Sequence, residues 1–247
     1  MTTPVELRAA SFGNVWLKRD DLFEVAGVRG GKVRTAWTLM ERERRGVVTA
    51  GSRSSPQCMI VARLAQHLGI PCRIFTPNGA PGPEILQAEE AGACRVPVIP
   101  GYNSVLIKRS REDARERGWS YVPFGMECEE AVTATAEEVV NIPAEVKRVV
   151  VPVGSAMSLA GILVGLLSEG RTDLPVLGVV VGADPISRLN MWAPPFWPAY
   201  CRLVPSGHKY DTRITGSIGG VDLDSVYEAK CIPFLEPDDL LWIVGHR

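Results

Sequence analysis

Three short stretches of this chain carry side chains whose types and spacing could do chemistry. Near the N-terminus, Gly30-Gly31-Lys32 opens a helical run, with Arg19-Asp20-Asp21 a short way upstream. A lysine placed after two glycines has little steric cover, so its amine can be approached from several sides. That suits imine chemistry, in which the lysine bonds to a carbonyl, leaves, and returns as a base. Farther along, a strand-like apolar run at 148–153 leads into Gly154-Ser155-Ala156-Met157-Ser158 and then into an apolar helix. Unpaired backbone N–H groups, the helix dipole and two hydroxyls make such a loop an anion site. Late in the chain, Tyr227 offers a phenol that can give or take a proton, and Glu228 offers a carboxylate.

Each stretch also has a plainer reading. Gly30-Gly31 could be a turn with Lys32 in solvent, Ser158 an ordinary helix N-cap, and residues 223–230 a surface turn. The elements around them decide which readings survive. Runs rich in β-branched residues predict strands at 47–50, 72–76, 94–99, 119–122, 148–153 and 176–181. Periodic segments predict helices at 33–45, 57–68, 83–91, 102–117, 127–140 and 158–167. Every interval between strands is long enough for a crossover helix, so the fold class is α/β with mostly parallel sheets. Residues 184–220, rich in Pro, Trp, Ser and Gly, break the rhythm and receive no assignment. The run at 239–244 closes the chain as a buried strand.

Composition narrows the function classes. The 247 residues are 46% hydrophobic and 22% charged, with a net charge of −1, an ordinary globular balance that gives no basic footprint for nucleic acid. The cation-rich stretch 108–117 mixes its signs at helical spacing and reads as a solvated helix face. No apolar run is long enough to cross a bilayer. The start MTTPVELRAA lacks a basic region followed by an apolar core, so a cytoplasmic protein is expected. Six scattered cysteines without a CxxC pair read as reduced thiols, and three distant histidines give no metal set.

Taken together, the three stretches resemble the family of 1-aminocyclopropane-1-carboxylate deaminase and D-cysteine desulfhydrase, in the tryptophan-synthase-β-like group of pyridoxal 5′-phosphate (PLP) enzymes. The family pattern R-x-D…G-[GN]-K-x-R is met by Arg19, Asp20 (or Asp21), Gly30, Gly31, Lys32 and Arg34. Its GSGGT–LAG loop is met by GSAMS–LAG from Gly154, and its D-P-V-Y-E-G-K by DSVYEAK from Asp224. The resemblance implies fold type II: a small lobe at 36–122 and a large lobe of 1–35 with 123–247, PLP lying in the crevice, in a homodimer. It implies that Lys32 carries PLP as a Schiff base and moves the substrate proton, and that Gly154, Ser155, Ala156, Met157 and Ser158 hold the phosphate. Glu228 is expected to keep the pyridine nitrogen protonated, and Tyr227 to act as an acid beside the substrate.

The departures from the family bear on the substrate. The family's Ser-Asn-His triplet aligns with Ser55-Pro56-Gln57, so Ser55 takes the place near substrate, and without the asparagine's amide the cofactor ring is expected to be held differently or through Gln57. Ala156 and Met157 stand where glycines are usual, and the C-terminal Thr-Gly-Gly is replaced by Val244-Gly245-His246-Arg247. The chain is shorter than typical relatives, mostly around 184–224, which predicts a thinner cover over the site. The expected activity is a lyase, deaminase or decarboxylase reaction at the α-carbon of a small amine or amino acid, one that could be bulky or linked to a larger molecule. The rival enzyme class, β-replacement, usually places a serine or threonine at the pyridine nitrogen, and Glu228 argues against it. A non-catalytic ligand-binding protein on the same scaffold is the rival from another class, favoured by the altered Pro56 and Ala156-Met157 and opposed by Lys32, Tyr227 and Glu228.

Overall fold

The computed structural model describes residues 2–245, so His246 and Arg247 of the altered C-terminus lie outside them. Its contacts divide the chain into two compact units, Met1–Phe23 with Ala131–Arg247, and Glu24–Glu130. The first is built on a sheet in the order β1-β2-β14-β9-β10-β11. Strands β2 (Gly13–Arg19), β14 (Asp239–Ile243), β9 (Arg148–Val153), β10 (Val176–Val180) and β11 (Cys201–Pro205) run parallel, and β1 (Val5–Ala10) adds an antiparallel edge. Asp239–Ile243 is buried at all five positions, which is why it reads as an unbroken apolar run in the sequence. Val15, Leu17, Val150, Val179, Leu241 and Ile243 share one core cluster. The helices of this half are α5 (Glu129–Ala136), which begins at the unit boundary, α6 (Met157–Ser168) and α7 (Ile186–Trp192). A small hairpin, β12 (Ser217–Ile218) with β13 (Val221–Asp222), precedes a 3-10 turn at Glu228–Phe234.

The unit Glu24–Glu130 holds a parallel sheet in the order β7-β6-β5-β8, from β5 (Val47–Ala50), β6 (Cys72–Pro77), β7 (Cys94–Val98) and β8 (Ser120–Val122). Crossovers α2 (Pro56–Leu68), α3 (Pro83–Glu90) and α4 (Asn103–Arg117) join them. A hairpin of β3 (Glu24–Val25) and β4 (Val28–Arg29) turns on Ala26 and Gly27, both at positive φ, the two-residue turn that matches strand twist. It delivers the chain to α1 (Gly31–Met40), which packs on α2, so the segment bearing Lys32 belongs with this unit.

Two elements differ from the sequence expectation. Helix α1 starts at Gly31 and stops at Met40, short of 45, because the Glu43 carboxylate takes the N–H groups of Arg44 and Arg45 and the Ser120 hydroxyl. Those donors, Ser120 first, hold the Glu43 carboxyl down at about 2. The 127–140 run divides into α5 and a 3-10 turn at Glu137–Asn141. Its Glu138 is drawn to a buried lysine: Lys18 Nζ lies 2.7 Å from Glu138 Oε2, and both side chains are almost wholly sealed from solvent. Lys18 Nζ also donates to the Thr3 carbonyl and Asn141 Oδ1, each at 2.8 Å. On α4, as expected of a solvated face, Arg117 and Lys108 pair with Asp113 and Glu112 one turn away.

Candidate active site

Lys32 is the second residue of α1, whose N-cap Gly30 sits at φ +113°, a conformation side chains seldom allow. Among the six lysines it alone is neither sealed nor fully exposed: Lys18 and Lys230 are buried, and Lys108, Lys147 and Lys209 are exposed. Its ammonium lies close enough to Cys58 to favour that thiol's charged form, as does a hydrogen bond from Ser55. Burial outweighs both and pushes the Cys58 thiol up to about 12, so it stays a neutral, inert wall. Gly51 makes this packing possible, since a Cβ there would fall 2.6 Å from Ser55 Oγ and 2.7 Å from Cys58 Sγ. Ser55 is thus held against the Cys58 thiol as N-cap of α2, with Pro56 opening the helix. Gln57 is differently engaged. Its buried amide nitrogen donates to Thr49 Oγ1 at 2.9 Å and to the Pro123 carbonyl at 2.6 Å, which spends both hydrogens on tying α2 to the sheet.

In the other unit, β9 ends in the loop Gly154-Ser155-Ala156, and α6 begins at Met157. The N-cap is Ala156, at φ +70°, so the reading of Ser158 as an ordinary cap fails. Ser155 and Ser158 are half-buried, and neither hydroxyl bonds to another described residue. The N–H groups of the first turn of α6 lack helical partners, as in every helix, and point where an anion would be welcome. Gly154 is required by a neighbour: a Cβ there would lie 2.8 Å from Tyr227 Cε1. The loop and the Tyr227 ring are therefore in direct contact.

The segment after Leu223 is no surface turn. The Asp224 carboxylate takes the N–H groups of Val226 and Tyr227 at 2.8 and 3.0 Å, which bends the chain and sends Tyr227 and Glu228 in different directions. Glu228 is fully buried. Its Oε1 accepts the Val244 N–H at 2.8 Å, while Oε2 has no hydrogen-bond partner. Burial above all, then the nearby Asp224, drives the Glu228 carboxyl well above the usual carboxylate range, and Asp21 adds to the push. Asp21 is itself forked by Arg19, Nε to Oδ1 at 3.0 Å and Nη2 to Oδ2 at 2.8 Å. Asp20 instead accepts from Thr3 Oγ1 and Trp242 Nε1, so of the two it is Asp21 that the motif arginine holds.

Sequence reading missed Tyr210. Its hydroxyl lies 2.8 Å from that of Tyr227, and the two rings meet edge to face with centroids 6.0 Å apart. Lys230, the last residue of the DSVYEAK stretch, donates to the carbonyls of Lys209 and Tyr210 and so fixes the backbone that presents this second phenol. A phenol pair can share one proton, which leaves one oxygen the better acceptor.

A family model described as pyridoxal-phosphate dependent enzyme matches residues 2–194. The chain belongs to this family. Family membership brings PLP as the cofactor. A relative described as an O-seryl-dTMP PLP-dependent decarboxylase from Salmonella phage ViI is 25% identical over 206 residues, covering 70% of this chain and 48% of its own. The chain thus spans about half the length of that relative. Among solved structures, an ACC deaminase homologue aligns over 99% of this chain and 89% of its own, with TM-score 0.80 and 18% identity. Threonine deaminase isoform 2 of Solanum lycopersicum aligns over 100% and 79%, with TM-score 0.67 and 17% identity. The holo diaminopropionate ammonia lyase of Escherichia coli gives 100% and 84%, TM-score 0.67 and 15% identity. These likenesses establish the fold, α/β with mostly parallel sheets as in fold type II.

The residues of this PLP family member fit their cofactor on two observations. A buried carboxyl oxygen without a partner, Glu228 Oε2, suits a protonated ring nitrogen that would share its proton. The loop of Gly154 and the two free serine hydroxyls suit a phosphate dianion. The site departs from family habit at Ala156, which adopts the left-handed conformation despite its Cβ.

Proposed function

We propose that this chain is a PLP-dependent lyase that breaks a bond at the α-carbon of an amino-acid-like amine carried on a nucleotide. The observation that carries the reading is the buried, half-satisfied Glu228 carboxyl beside a Tyr227 ring that packs on the α6 loop. When bound, PLP supplies an electron sink for the pair left on the α-carbon. Lys32 would hold the cofactor and carry the substrate proton, its helix-start position leaving the amine room to move. Ser155, Ser158 and the N–H groups of residues 154–158 would hold the phosphate. Glu228, sealed from water, would keep the ring nitrogen charged, and a charged ring favours carbanion chemistry over β-replacement. Tyr227, with Tyr210 as its hydrogen-bonded partner, would hold or return a proton above the substrate, and Ser55 would orient it. Gln57 would support Ser55 by anchoring the start of α2.

The similarity to a decarboxylase named for a nucleotide-linked serine supports a carboxylate as the leaving group and a nucleotide as the carrier. A homodimer is part of the same proposal. Turnover assays with O-seryl-dTMP, free L-serine, D-cysteine and 1-aminocyclopropane-1-carboxylate test it. Carbon dioxide release from O-seryl-dTMP, with free amino acids turned over poorly, is the expected result. Efficient ammonia release from D-cysteine or 1-aminocyclopropane-1-carboxylate would contradict the nucleotide reading.

A further inference from the structure

In the unit Glu24–Glu130, the loops after β5 and β6 leave the same end of a parallel sheet, the end at which open α/β sheets take their ligands. The loop after β5 is Gly51-Ser52-Arg53-Ser54-Ser55, and the one after β6 is Asn78-Gly79-Ala80-Pro81-Gly82. Neither contains a carboxylate. The two are sewn together, for the Gly82 N–H donates to the Arg53 carbonyl at 2.7 Å. They also interlock through their glycines. A Cβ at Gly79 would lie 2.5 Å from Arg53 Nη1, and one at Gly82 would lie 2.7 Å from the Arg53 carbonyl oxygen and 2.8 Å from Ser54 Oγ. The Arg53 guanidinium is thus laid along the neighbouring loop, not swung out on a free stem. It is exposed, yet it has no hydrogen bond or ion pair with any described residue. A second guanidinium, that of Arg95, reaches the same loop and finds only neutral acceptors, Thr76 Oγ1 at 3.0 Å and the Gly79 carbonyl at 2.6 Å.

A positioned arginine with open donors, a second cation close by, exposed serine hydroxyls on either side and no acid in either loop is the donor set that binds a phosphate ester. Arg53 lies two residues from Ser55, whose hydroxyl packs with the Cys58 thiol at Gly51, and Lys32 belongs to the same unit. We infer that Arg53 is a specificity-determining residue that receives the phosphate of the substrate's nucleotide. This rests on the nucleotide reading above. It also explains why the loop preceding Ser55 can afford an exposed arginine: the substrate brings the counter-charge.

The test is calorimetric titration of the PLP-loaded full chain with dTMP, thymidine and a short single-stranded thymidylate oligonucleotide, in wild type and in Arg53→Gln and Arg53→Lys. dTMP should bind at least about tenfold more tightly than thymidine, and Arg53→Gln should erase that margin without changing thymidine binding or the melting temperature. Arg53→Lys should keep part of it, since the charge remains and the fork is lost. If instead the oligonucleotide alone weakens in Arg53→Gln, the receptor still stands and its phosphate is a diester of a polymer. A dTMP margin that survives Arg53→Gln, with the oligonucleotide also unaffected, overturns the role of Arg53 while leaving the nucleotide reading intact. Wild type that treats dTMP like thymidine and ignores the oligonucleotide overturns both.

Discussion

Ala156 and Glu228 each carry a cost that the roles proposed for them toward the cofactor would explain. Ala156 holds φ +70° at the N-cap of α6, where its Cβ is crowded. Ala156→Gly is expected to stabilise the cofactor-free chain by about 1 kcal/mol, read from urea unfolding, with PLP affinity kept. A Cβ added at Gly154 has the opposite effect, because the Tyr227 ring must move; Gly154→Ala should weaken PLP binding and impair turnover together. Glu228 has its carboxyl pushed up by burial first and Asp224 second. A carboxyl raised in the folded state favours folding fully below its ordinary value of 4.5 and loses that contribution as pH rises through the folded value. In the cofactor-free protein, Glu228→Gln should therefore melt above wild type at pH 7–8, the gap closing as pH falls toward 4.5. The slope across that window is at most about 1.4 kcal/mol per pH unit. With PLP bound the sign of its usefulness reverses: Glu228→Gln should retain the cofactor and lose most turnover. Equal melting curves for the two cofactor-free proteins at pH 8 would contradict the buried, proton-holding Glu228.

At the scale of elements, the parallel strands were legible because burial on both faces demands continuous apolar runs, as at Val47–Ala50 and Arg148–Val153. Strand β1 was not, since VELRAA is half-exposed at a sheet edge and has no such run. The helix expected at 127–140 breaks because Glu138 leaves helical register to meet Lys18, a tertiary demand that no local periodicity records. Tyr210 went unread for a related reason. It lies in the Pro- and Gly-rich stretch without periodicity, and a distant residue, the Lys230 ammonium, holds the backbone at 209 and 210 that presents it. Lys32, the loop from Gly154, Tyr227 and Glu228 were legible as types at a spacing. Their shelter from solvent, complete for Glu228 and partial for Lys32, Ser155, Ser158 and Tyr227, was not. The Lys18–Glu138 pair gives an element-level test. Glu138→Ala leaves a sealed ammonium without its counter-ion and should cost about 3–5 kcal/mol in denaturant unfolding, whereas Lys18→Met with Glu138→Leu together should cost much less. A single-mutant loss below about 1 kcal/mol would mean the pair is solvated.

For the whole molecule, no helix among the described residues is long and apolar enough to cross a membrane, and the family match spans both units. Everything proposed about function depends on one lysine. Lys18 and Lys230 are buried and their ammonium groups bond to the protein, Lys147 pairs with Asp238 and Lys108 with Glu112 at the surface, and Lys209 is exposed. Lys32, half-buried at the start of α1, is the amine proposed to carry the cofactor. The decisive measurement is borohydride reduction of the PLP-loaded protein followed by peptide mass spectrometry. A yellow protein that yields one pyridoxyl-modified peptide, the one containing Lys32, is the expected result. Modification at any other lysine, or a colourless protein that takes up no PLP, would contradict it.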